Sequence, residues 1–322
     1  MNDFIPTKQL WVINRLRSER GKLLREALKE AVQKVGIQAI DEELHELVDN
    51  NALTHLGSFG LRGEMLFPVP CLIKVKPTVS GYYRLVLGIS QKEYARKGLG
   101  KWVRIEQGEN VTVSASEIRE LCMTLIKAGE QLLNLIVSKN DIADNISEDF
   151  FHELALLTFG AQLDGSYRVI IGKKAVDVMR HIIREIVTSK NPVGFQERKN
   201  EIQFTNAAGR QVRIRFGSDP DILASEYSGD SSRQLLAIEV KGGGDPSNIH
   251  NRLGEAEKSH LKLSAEGVLR WTIVGVPIDE RTARMRSPST NRFFALSTLL
   301  IHEGQEYQSF RRELISILGL PE

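Results

Sequence analysis

The sequence predicts an α/β fold, in which a mixed central sheet is flanked by helices and preceded by an N-terminal α+β elaboration. Three observations lead to this class. Beyond Pro192, apolar and polar residues alternate, as they do in half-buried strands. Two short apolar runs, "QLLAIEV" and "LRWTIVGVP", have the length of buried strands. The segment between them, "NRLGEAEKSHLKLSAEG", is predicted to be a helix.

The chain is long enough for two domains. Its 322 residues are 41% hydrophobic and 26% charged, an ordinary globular composition. We expect an N-terminal helical and β region over 1–140 and a core over 145–322. Between them, "VSKNDIADN" is either a linker or a turn between helices. The net charge of +2 excludes a polycation, so a nucleic-acid partner would need local basic patches.

Cysteine usage and the N-terminus indicate the compartment. Cys71 and Cys122 are the only cysteines, and they lie far apart without metal-type spacing, which fits a reducing environment. The N-terminus has no apolar signal core, and no apolar run approaches the ~18 residues of a membrane span. We therefore expect a cytoplasmic protein with no membrane partner.

Helices are expected at both ends of the N-terminal region, with strands between them. Apolar spacing predicts one long helix from Thr7 to Val35, ended by Gly36, and then a short helix through "DEELHELVDN". Three segments are predicted to be strands: "LFPVPCLIKVKP", "YYRLVLGIS" and "KWVRIE". Further helices are predicted over Ser116–Val137, Ser147–Leu163 and Lys173–Ser189.

Basic residues cluster within this predicted β region: Arg84, Lys92, Arg96, Lys97, Lys101 and Arg104. Such a patch indicates a DNA clamp or part of a dimer interface. An ordinary solvated surface would have the same composition.

The core region places two carboxylates and a lysine at strand ends. "NEIQFTN" and "RQVRIRFGS" predict a hairpin across "NAAGR", and Asp221 after Pro220 is expected to close its second strand. Glu239 and Lys241 lie in the next strand, where period-two alternation puts both on one face. If these strands are neighbours, Asp221 approaches Glu239.

Two converging carboxylates repel each other unless a cation lies between them. A hard divalent ion, Mg²⁺ above all, takes such oxygen ligands. Lys241 could then position or deprotonate a water, or stabilise the charge of a transferring phosphoryl group. These are the groups that phosphodiester hydrolysis requires. The alternative is an edge strand with a surface ion pair. A phosphate-binding loop at Gly242–Gly244 is excluded, because no Gly-Lys followed by Ser or Thr is present there.

The order of helix, three strands, helix and strand, with Pro-Asp and then Glu-x-Lys, resembles the PD-(D/E)XK nuclease superfamily. The resemblance is more specific over "AIEVKGGGDPSNIHNRLGEAEKSHLKL" and "RSPSTNRFF". These stretches are similar to the XcyI-type family of type II restriction endonucleases, over roughly 217–294. The resemblance implies that Asp221 and Glu239 hold Mg²⁺ and that Lys241 serves the attacking water.

The same resemblance implies a homodimer that cuts a palindromic DNA duplex. XcyI-like enzymes act on CCCGGG and leave five-prime overhangs, so a G·C-rich site of this kind and five-prime phosphate ends are expected. The chain has no methyltransferase signature. A cognate DNA methyltransferase is therefore expected to be encoded separately.

Candidate DNA contacts lie at the start of the helix after Lys241. There the backbone N–H groups and the helix dipole favour a phosphate; the candidates are Ser247, Asn248, His250, Asn251 and Arg252. Glu255 or Glu257 on this helix could lie near the metal and hydrogen-bond to the groups that bind it, and so could Glu185 on an earlier helix. A salt-bridged helix surface explains these acids as well.

The span "DERTARMRSPSTNRF" is the main candidate for reading bases, predicted to be a loop. Arginine pairs with guanine in the major groove, so an Arg-rich loop suits a G·C-rich site. Its candidates are Arg281, Arg284, Arg286, Ser289, Asn291 and Arg292. A basic loop that contacts phosphates alone is the competing interpretation.

Two other functions agree with the same residues. A structure-specific or repair nuclease, such as a junction resolvase, would nick DNA or prefer branched substrates. A non-catalytic DNA-binding protein would keep the three residues as an ion-pair network and bind without metal or cleavage. Cleavage at a unique set of positions would exclude both.

Overall fold

The computed structural model describes residues 7–138, 146–217, 219–229, 231–243, 248–263, 267–275 and 277–321. The chain divides into two compact units, Met1–Ser166 and Tyr167–Glu322. The boundary between the units falls inside one long helix, Glu148–Thr188. The predicted linker near residue 140 falls largely on residues 139–145, outside the described residues. Within the described ranges, none of the helices combines the length and apolar character that a membrane span requires.

Over the described residues, the regular elements of the first unit are all helices. It contains α1 Thr7–Leu23, α2 Arg25–Val35, α3 Ile37–Leu47, α4 Asn50–Ser58, α5 Pro70–Val75, α6 Ser80–Val86, α7 Gln91–Tyr94, α8 Gly100–Glu106 and α9 Ala115–Val137. Short helical turns lie at Gly63–Met65, Pro77–Val79 and Ala95–Leu99. Helix α10, Glu148–Thr188, begins in this unit and ends in the second.

The three strands predicted between Leu66 and Glu106 are wrong, and with them the β part of the N-terminal elaboration. These segments form α5, α6 and α8. Pro70 stands in the first turn of α5, a position that favours helix initiation. Every residue of α6 is buried, so its continuous apolar run reflects burial on all sides of a helix. A short apolar run of this kind does not distinguish a buried helix from a strand.

Two helix predictions also differ from the structure in their bounds. The helix predicted from Thr7 to Val35 is interrupted at Leu24, whose backbone is extended (φ −114°, ψ −171°). The two helices predicted on either side of Gly165 and Gly172 form the single helix α10. A glycine inside a helix costs only about 1 kcal/mol relative to alanine, so it does not have to end the helix.

Arg84, counted in the basic cluster, is fully buried and forms an ion pair inside the first unit. Its Nε donates to Oε1 of Glu106 at 2.7 Å and its Nη2 to Oε2 at 2.8 Å. Its Nη1 also donates to the carbonyl of Ile89. Arg84 is therefore unavailable to DNA. Lys101 and Arg104 in the same cluster pair with Glu117 and Glu109 on the surface.

The second unit is built on a seven-stranded sheet in the order of the chain: β1 Val193–Arg198, β2 Glu201–Thr205, β3 Gln211–Phe216, β4 Ile222–Ser228, β5 Ser231–Lys241, β6 Leu269–Val274 and β7 Arg292–Ala295. The pairs from β1 to β5 are antiparallel, and the last two pairs are parallel. The predicted hairpin of β2 and β3 is confirmed. The helices of this unit beyond α10 are α11 Ile249–Leu261, α12 Glu280–Arg286, α13 Leu296–Leu299 and α14 Gly304–Leu318.

The two faces of the sheet differ in chemistry. One face carries apolar residues such as Ile214 and Ile222, which pack in one core with α10 and α14. On the other face, Arg215, Leu223 and Ala237 are consecutive cross-strand partners. Alternation along β4 and β5 puts Asp221 and Glu239 on this second face as well. We call it the polar face.

Asp221 does not close a strand, contrary to the prediction. β3 ends at Phe216, and Asp221 immediately precedes β4. β4 was not predicted because its first five residues are buried on both faces and show no alternation. β1 and β7 were also missed: β1 is an exposed, polar edge strand, and β7 has only four residues.

We expect the Arg84–Glu106 pair to be essential for the stability of the first unit. Replacing Arg84 with Met leaves the Glu106 carboxylate buried without its partner, which should cost about 3–5 kcal/mol of unfolding free energy. The matched control is Arg104→Met, which removes the exposed pair with Glu109 and should cost less than about 1 kcal/mol. Urea unfolding followed by circular dichroism measures both. Equal losses in the two variants would contradict this assignment.

Candidate active site

Asp221, immediately before β4, lies beside Glu239 of the neighbouring antiparallel strand β5. Ile222 is the cross-strand partner of Ile238, so the next position along places Asp221 beside Glu239. Oδ2 of Asp221 accepts a hydrogen bond of 2.7 Å from the backbone N–H of Val240. This bond fixes the Asp221 carboxylate to β5. The two strands expected to be neighbours, β3 and β5, are separated by β4, so Asp221 approaches Glu239 through the unpredicted pairing of β4 with β5.

Lys241 completes the cluster from the end of β5. Its Nζ donates to Oε2 of Glu239 at 2.7 Å. The Glu239 side chain is only 3% exposed, whereas that of Lys241 is 18% exposed. The second carboxylate oxygen of Glu239, Oε1, is buried and has no hydrogen-bond partner. A buried polar atom left unpaired is costly, so this oxygen marks a place where a ligand would lower the free energy.

Burial raises the pKa of both carboxyl groups. For Asp221 the rise caused by burial is opposed by the Val240 N–H and by the charge of Lys241. For Glu239 burial is again the main cause; the charge of Lys241 opposes it, and the charge of Asp221 adds to it. The site therefore resists holding two negative charges. A bound cation would remove this resistance.

A Mg²⁺ ion fits these residues. The ligands available are oxygens, which this ion prefers, and one of them is the unpartnered Oε1 of Glu239. In the part of the chain that the structure describes, no group of three or more His, Cys, Asp or Glu side chains is arranged to hold a metal. The candidate site thus offers two carboxylates, Asp221 and Glu239, among the residues that the structure describes. Mg²⁺ commonly binds through one or two carboxylates, with water and substrate phosphate as its other ligands.

The glycines after Lys241 allow close packing rather than forming a phosphate loop. A Cβ on Gly242 would lie 2.1 Å from the Cβ of Ala175 on α10. A Cβ on Gly243 would lie 2.1–2.2 Å from the guanidinium of Arg252. Position 242 therefore requires glycine, whereas a side chain at position 243 would have to displace the Arg252 guanidinium. The packing of these two glycines fixes the strand end that carries Lys241.

The start of α11 brings part of the predicted phosphate contacts towards this strand end. Arg252 is half-buried with its guanidinium against Gly243, two residues beyond Lys241. His250 and Asn251 are exposed, and the Asn251 amide donates to Oδ1 of Asn248 at 2.9 Å. Ser247 lies outside the described residues.

The span predicted to be a basic loop contains a helix. Asp279 caps α12 through the backbone N–H of Thr282, so Arg281, Arg284 and Arg286 stand on a helix rather than a loop. All three arginines are exposed. Arg284 is engaged with Glu280, one helical turn away. The acidic first turn and the Asp cap are the sequence signals that favour this helix.

The residues after α12 already have partners within the second unit. The Ser289 hydroxyl donates to Glu257 at 2.6 Å. Oδ1 of Asn291 accepts from the backbone N–H of Arg270, and Arg292 forms an ion pair with Glu313. These three contacts hold the backbone of residues 289–292 in place. Of the candidate base-reading residues, Arg281 and Arg286 are the exposed ones for which no such internal contact is described.

A buried polar network links this segment to β6, the strand that pairs with β5, and sequence reasoning missed it. Thr272 is the cross-strand partner of Glu239. Its hydroxyl lies 3.0 Å from Nε2 of His260 and 3.0 Å from the hydroxyl of Thr290. Thr290 in turn contacts Ser287, which donates to Glu257. The signal available in the sequence was a threonine in the middle of the apolar strand "LRWTIVGVP".

The His260 side chain of this network is neutral at physiological pH. Burial first, and then the charge of Arg270, lowers the pKa of His260 to about 4. His260 therefore keeps one protonation state over the neutral range. Glu257 accepts hydrogen bonds from Ser287 and Ser289, so it is a structural partner of the 287–290 segment.

Glu185 and Glu255 show no contact with the two carboxylates. Glu185 lies within ion-pair distance of His181 and His302 on the surface. Glu255 is exposed on α11. A role for either residue near the metal stays a prediction without support from the described contacts.

Comparison with known proteins identifies similar chains. The model of the XcyI restriction endonuclease family matches residues 13–321. The type II restriction enzyme Cfr9I of Citrobacter freundii is 39% identical, over 98% of this chain and 96% of its own length. The type II restriction enzyme XcyI of Xanthomonas campestris pv. cyanopsidis is 37% identical, over 95% of this chain and 92% of its own length. The similarity thus includes both compact units.

The raised pKa of Glu239 predicts a specific pH dependence of stability. Below the ordinary value of 4.5, the carboxyl is protonated in both the folded and the unfolded chain, and no penalty arises. As the pH rises above that value, the unfolded chain ionises first, so the folded state loses stability. Glu239→Gln cannot ionise and should be more stable than the wild type at pH 7. This advantage should vanish in acid.

Asp279→Asn is the matched control, because hydrogen bonds from Thr282 lower the pKa of this exposed helix cap. The control should be less stable than the wild type at pH 7, and its deficit should also vanish in acid. Thermal unfolding midpoints without divalent metal, measured from acid to neutral pH, give both curves. A Glu239→Gln variant less stable than the wild type at pH 7 would contradict the assignment.

Proposed function

The chain belongs to the XcyI restriction endonuclease family, and we propose that it uses Mg²⁺ to cut both strands of a palindromic, G·C-rich DNA duplex of the CCCGGG kind. Membership makes it a type II restriction enzyme, that is, a site-specific endodeoxyribonuclease. The metal, the site and the products are the proposed part. The apposition of Asp221 and Glu239, with Lys241 on the same face, is the observation that carries the proposal.

The catalytic unit is proposed to be a PD-(D/E)XK nuclease core. Asp221 follows Pro220, and β5 carries Glu239-Val240-Lys241. The sheet is mixed, and helices pack on one of its faces. These features support the assignment. The proposed functional division remains a core over 145–322 and a region over 1–140 that serves as a DNA clamp, in dimerisation, or both.

In this proposal Asp221 and Glu239 hold the ion. When bound there, Mg²⁺ supplies charge neutralisation at the scissile phosphate and lowers the pKa of water. Asp221 is fixed in place by the Val240 N–H. Lys241 presents a cationic N–H donor beside Glu239, where it can orient the attacking water and stabilise negative charge that develops on the phosphate.

The proposed reaction is hydrolysis of the phosphodiester. The oxygen of water bonds to phosphorus while the bond from phosphorus to the 3′ oxygen breaks. The leaving 3′ oxygen takes a proton and becomes a hydroxyl, and the phosphate stays on the 5′ end. Cuts staggered on the two strands of a palindrome would leave the five-prime overhangs expected for this family.

DNA contacts are proposed from two places. The start of α11 would bind phosphate near the strand end that carries Lys241, through Ser247, Asn248, His250, Asn251 and Arg252. Arg281 and Arg286 on α12 are the proposed base readers, since arginine donates to both acceptors of guanine. Ser289, Asn291 and Arg292 would contribute by fixing the backbone around them. Their side chains are already bonded within the unit.

A homodimer is proposed, because the two-fold symmetry of a palindrome matches two copies of one site. A separately encoded methyltransferase would protect the host sequence. We also propose that the protein acts in the cytoplasm, where its substrate DNA is present. All three proposals follow from the restriction function.

Digestion of a sequenced, unmethylated plasmid with and without Mg²⁺ tests the function. We expect discrete, Mg²⁺-dependent bands whose mapped ends carry five-prime phosphates. Glu239→Gln and Lys241→Gln should each slow cleavage by about 100-fold or more. The matched control is Arg312→Gln, an exposed arginine on α14 outside every proposed binding site, which should cut like the wild type.

Each alternative outcome contradicts a defined part of the proposal. Bands unaffected by both catalytic substitutions would exclude this site. Nicking that prefers branched DNA would favour a structure-specific nuclease. Metal-independent binding with no cleavage of any unmethylated DNA would favour a non-catalytic binding protein.

A further inference from the structure

An open cleft of about 520 Å³ lies on the polar face beside the catalytic strands. Its wall is built from β1, β2, β3 and the segment that leads into Asp221. The residues that matter here are Arg198, Lys199, Glu201, Arg215, Asp219 and Pro220. We call it the flank cleft. None of the residues proposed above for metal or DNA binding lines it.

The flank cleft follows one row of cross-strand partners. Arg198 pairs with Glu201, Glu201 with Arg215, and Arg215 with Leu223. Leu223 is two residues from Asp221, so both point to the polar face. Two residues of a strand span about 7 Å. The row of the cleft therefore runs beside the row of the catalytic pair.

The charges in the cleft are mainly positive and available. Arg198, Lys199 and Arg215 are exposed, and in the part of the chain that the structure describes none of them forms an ion pair. The acids are Glu201, which lies between the two arginines, and Asp219. Asp219 is neutralised by Lys262, whose Nζ lies 2.8 Å from its carboxylate.

The position of these cations indicates their ligand. A polyanion whose scissile phosphate lies at a cation held by Asp221 and Glu239 must continue to either side of that point. Exposed arginines that lack an internal partner and stand one row away are suited to its next phosphates, since guanidinium donors match phosphate oxygens. Such contacts fix the position of a duplex without reading its sequence.

We propose that the flank cleft binds the DNA backbone next to the scissile phosphate, with Arg198 and Arg215 each contacting a phosphate. This inference rests on the proposed function and deepens it. The cleft is a positioning site, because it holds the duplex in register and touches no reacting atom. Lys199, in the turn between β1 and β2, adds to the positive potential.

Salt dependence of binding tests the cleft. The full chain is titrated onto a short duplex that carries the mapped cleavage site, without divalent metal, at about 50–200 mM salt. The slope of log K against log salt is negative, and each lost phosphate contact should make it shallower by about 1. The slope of the double variant Arg198→Gln/Arg215→Gln should therefore be shallower than that of the wild type by about 2.

The matched control is Arg312→Gln. Arg312 is exposed on α14, the helix that packs against the apolar face of the sheet. This control removes the same type of side chain from the same unit and should keep the wild-type slope. A double variant with an unchanged slope would overturn the proposal. A loss of affinity for the cognate duplex but not for unrelated duplexes would also overturn it, because it would indicate base reading.

A second measurement changes the DNA instead of the protein. Duplexes with a single uncharged methylphosphonate beside the scissile bond should weaken binding to the wild type and to Arg312→Gln. The double variant should be insensitive to the same change. If the double variant responds as the wild type does, the cleft does not contact those phosphates. A wild type that neither binds nor cuts DNA would instead refute the proposed function itself.

Discussion

The pairing of β4 with β5 is the constraint on which the candidate site of the second unit depends. Antiparallel register places Asp221 beside Glu239, and the Val240 N–H holds the Asp221 carboxylate there. A shift of one residue would move these side chains to opposite faces of the sheet. The register is maintained because Ile222 and Ile238 bury the opposite face in the main core of the unit. The same strand register thus buries the apolar face of the sheet and brings the two carboxylates together on the polar face.

The candidate site holds two buried carboxyl groups whose charged forms are electrostatically unfavourable. Burial raises the pKa of both carboxyl groups, and Oε1 of Glu239 has no partner. The structure compensates around the site. Gly242 and Gly243 permit tight packing at the strand end, and Thr272 connects the neighbouring strand to the Glu257 network. Unfavourable groups held together by a well-packed surrounding are typical of a functional site.

The sequence predicted which residues form the candidate site better than it predicted the architecture around them. Asp221, Glu239 and Lys241 could be found because charges next to apolar strands require an explanation. The helices of the first unit were mistaken for strands because short, fully buried segments have no readable period. The partners of Ser289, Asn291 and Arg292 could not be predicted, because each contact joins elements distant in the chain. The flank cleft depends in the same way on the register of four strands.

The most direct test of this account is to locate the metal. Crystals of the wild type grown with a DNA duplex and Mn²⁺, an ion close to Mg²⁺ in its ligand preference, would give an anomalous signal at the ion. The account predicts a peak in contact with carboxylate oxygens of both Asp221 and Glu239, including Oε1 of Glu239. The peak should be absent in Glu239→Gln. A peak elsewhere, with these two carboxylates free of metal, would contradict the central claim.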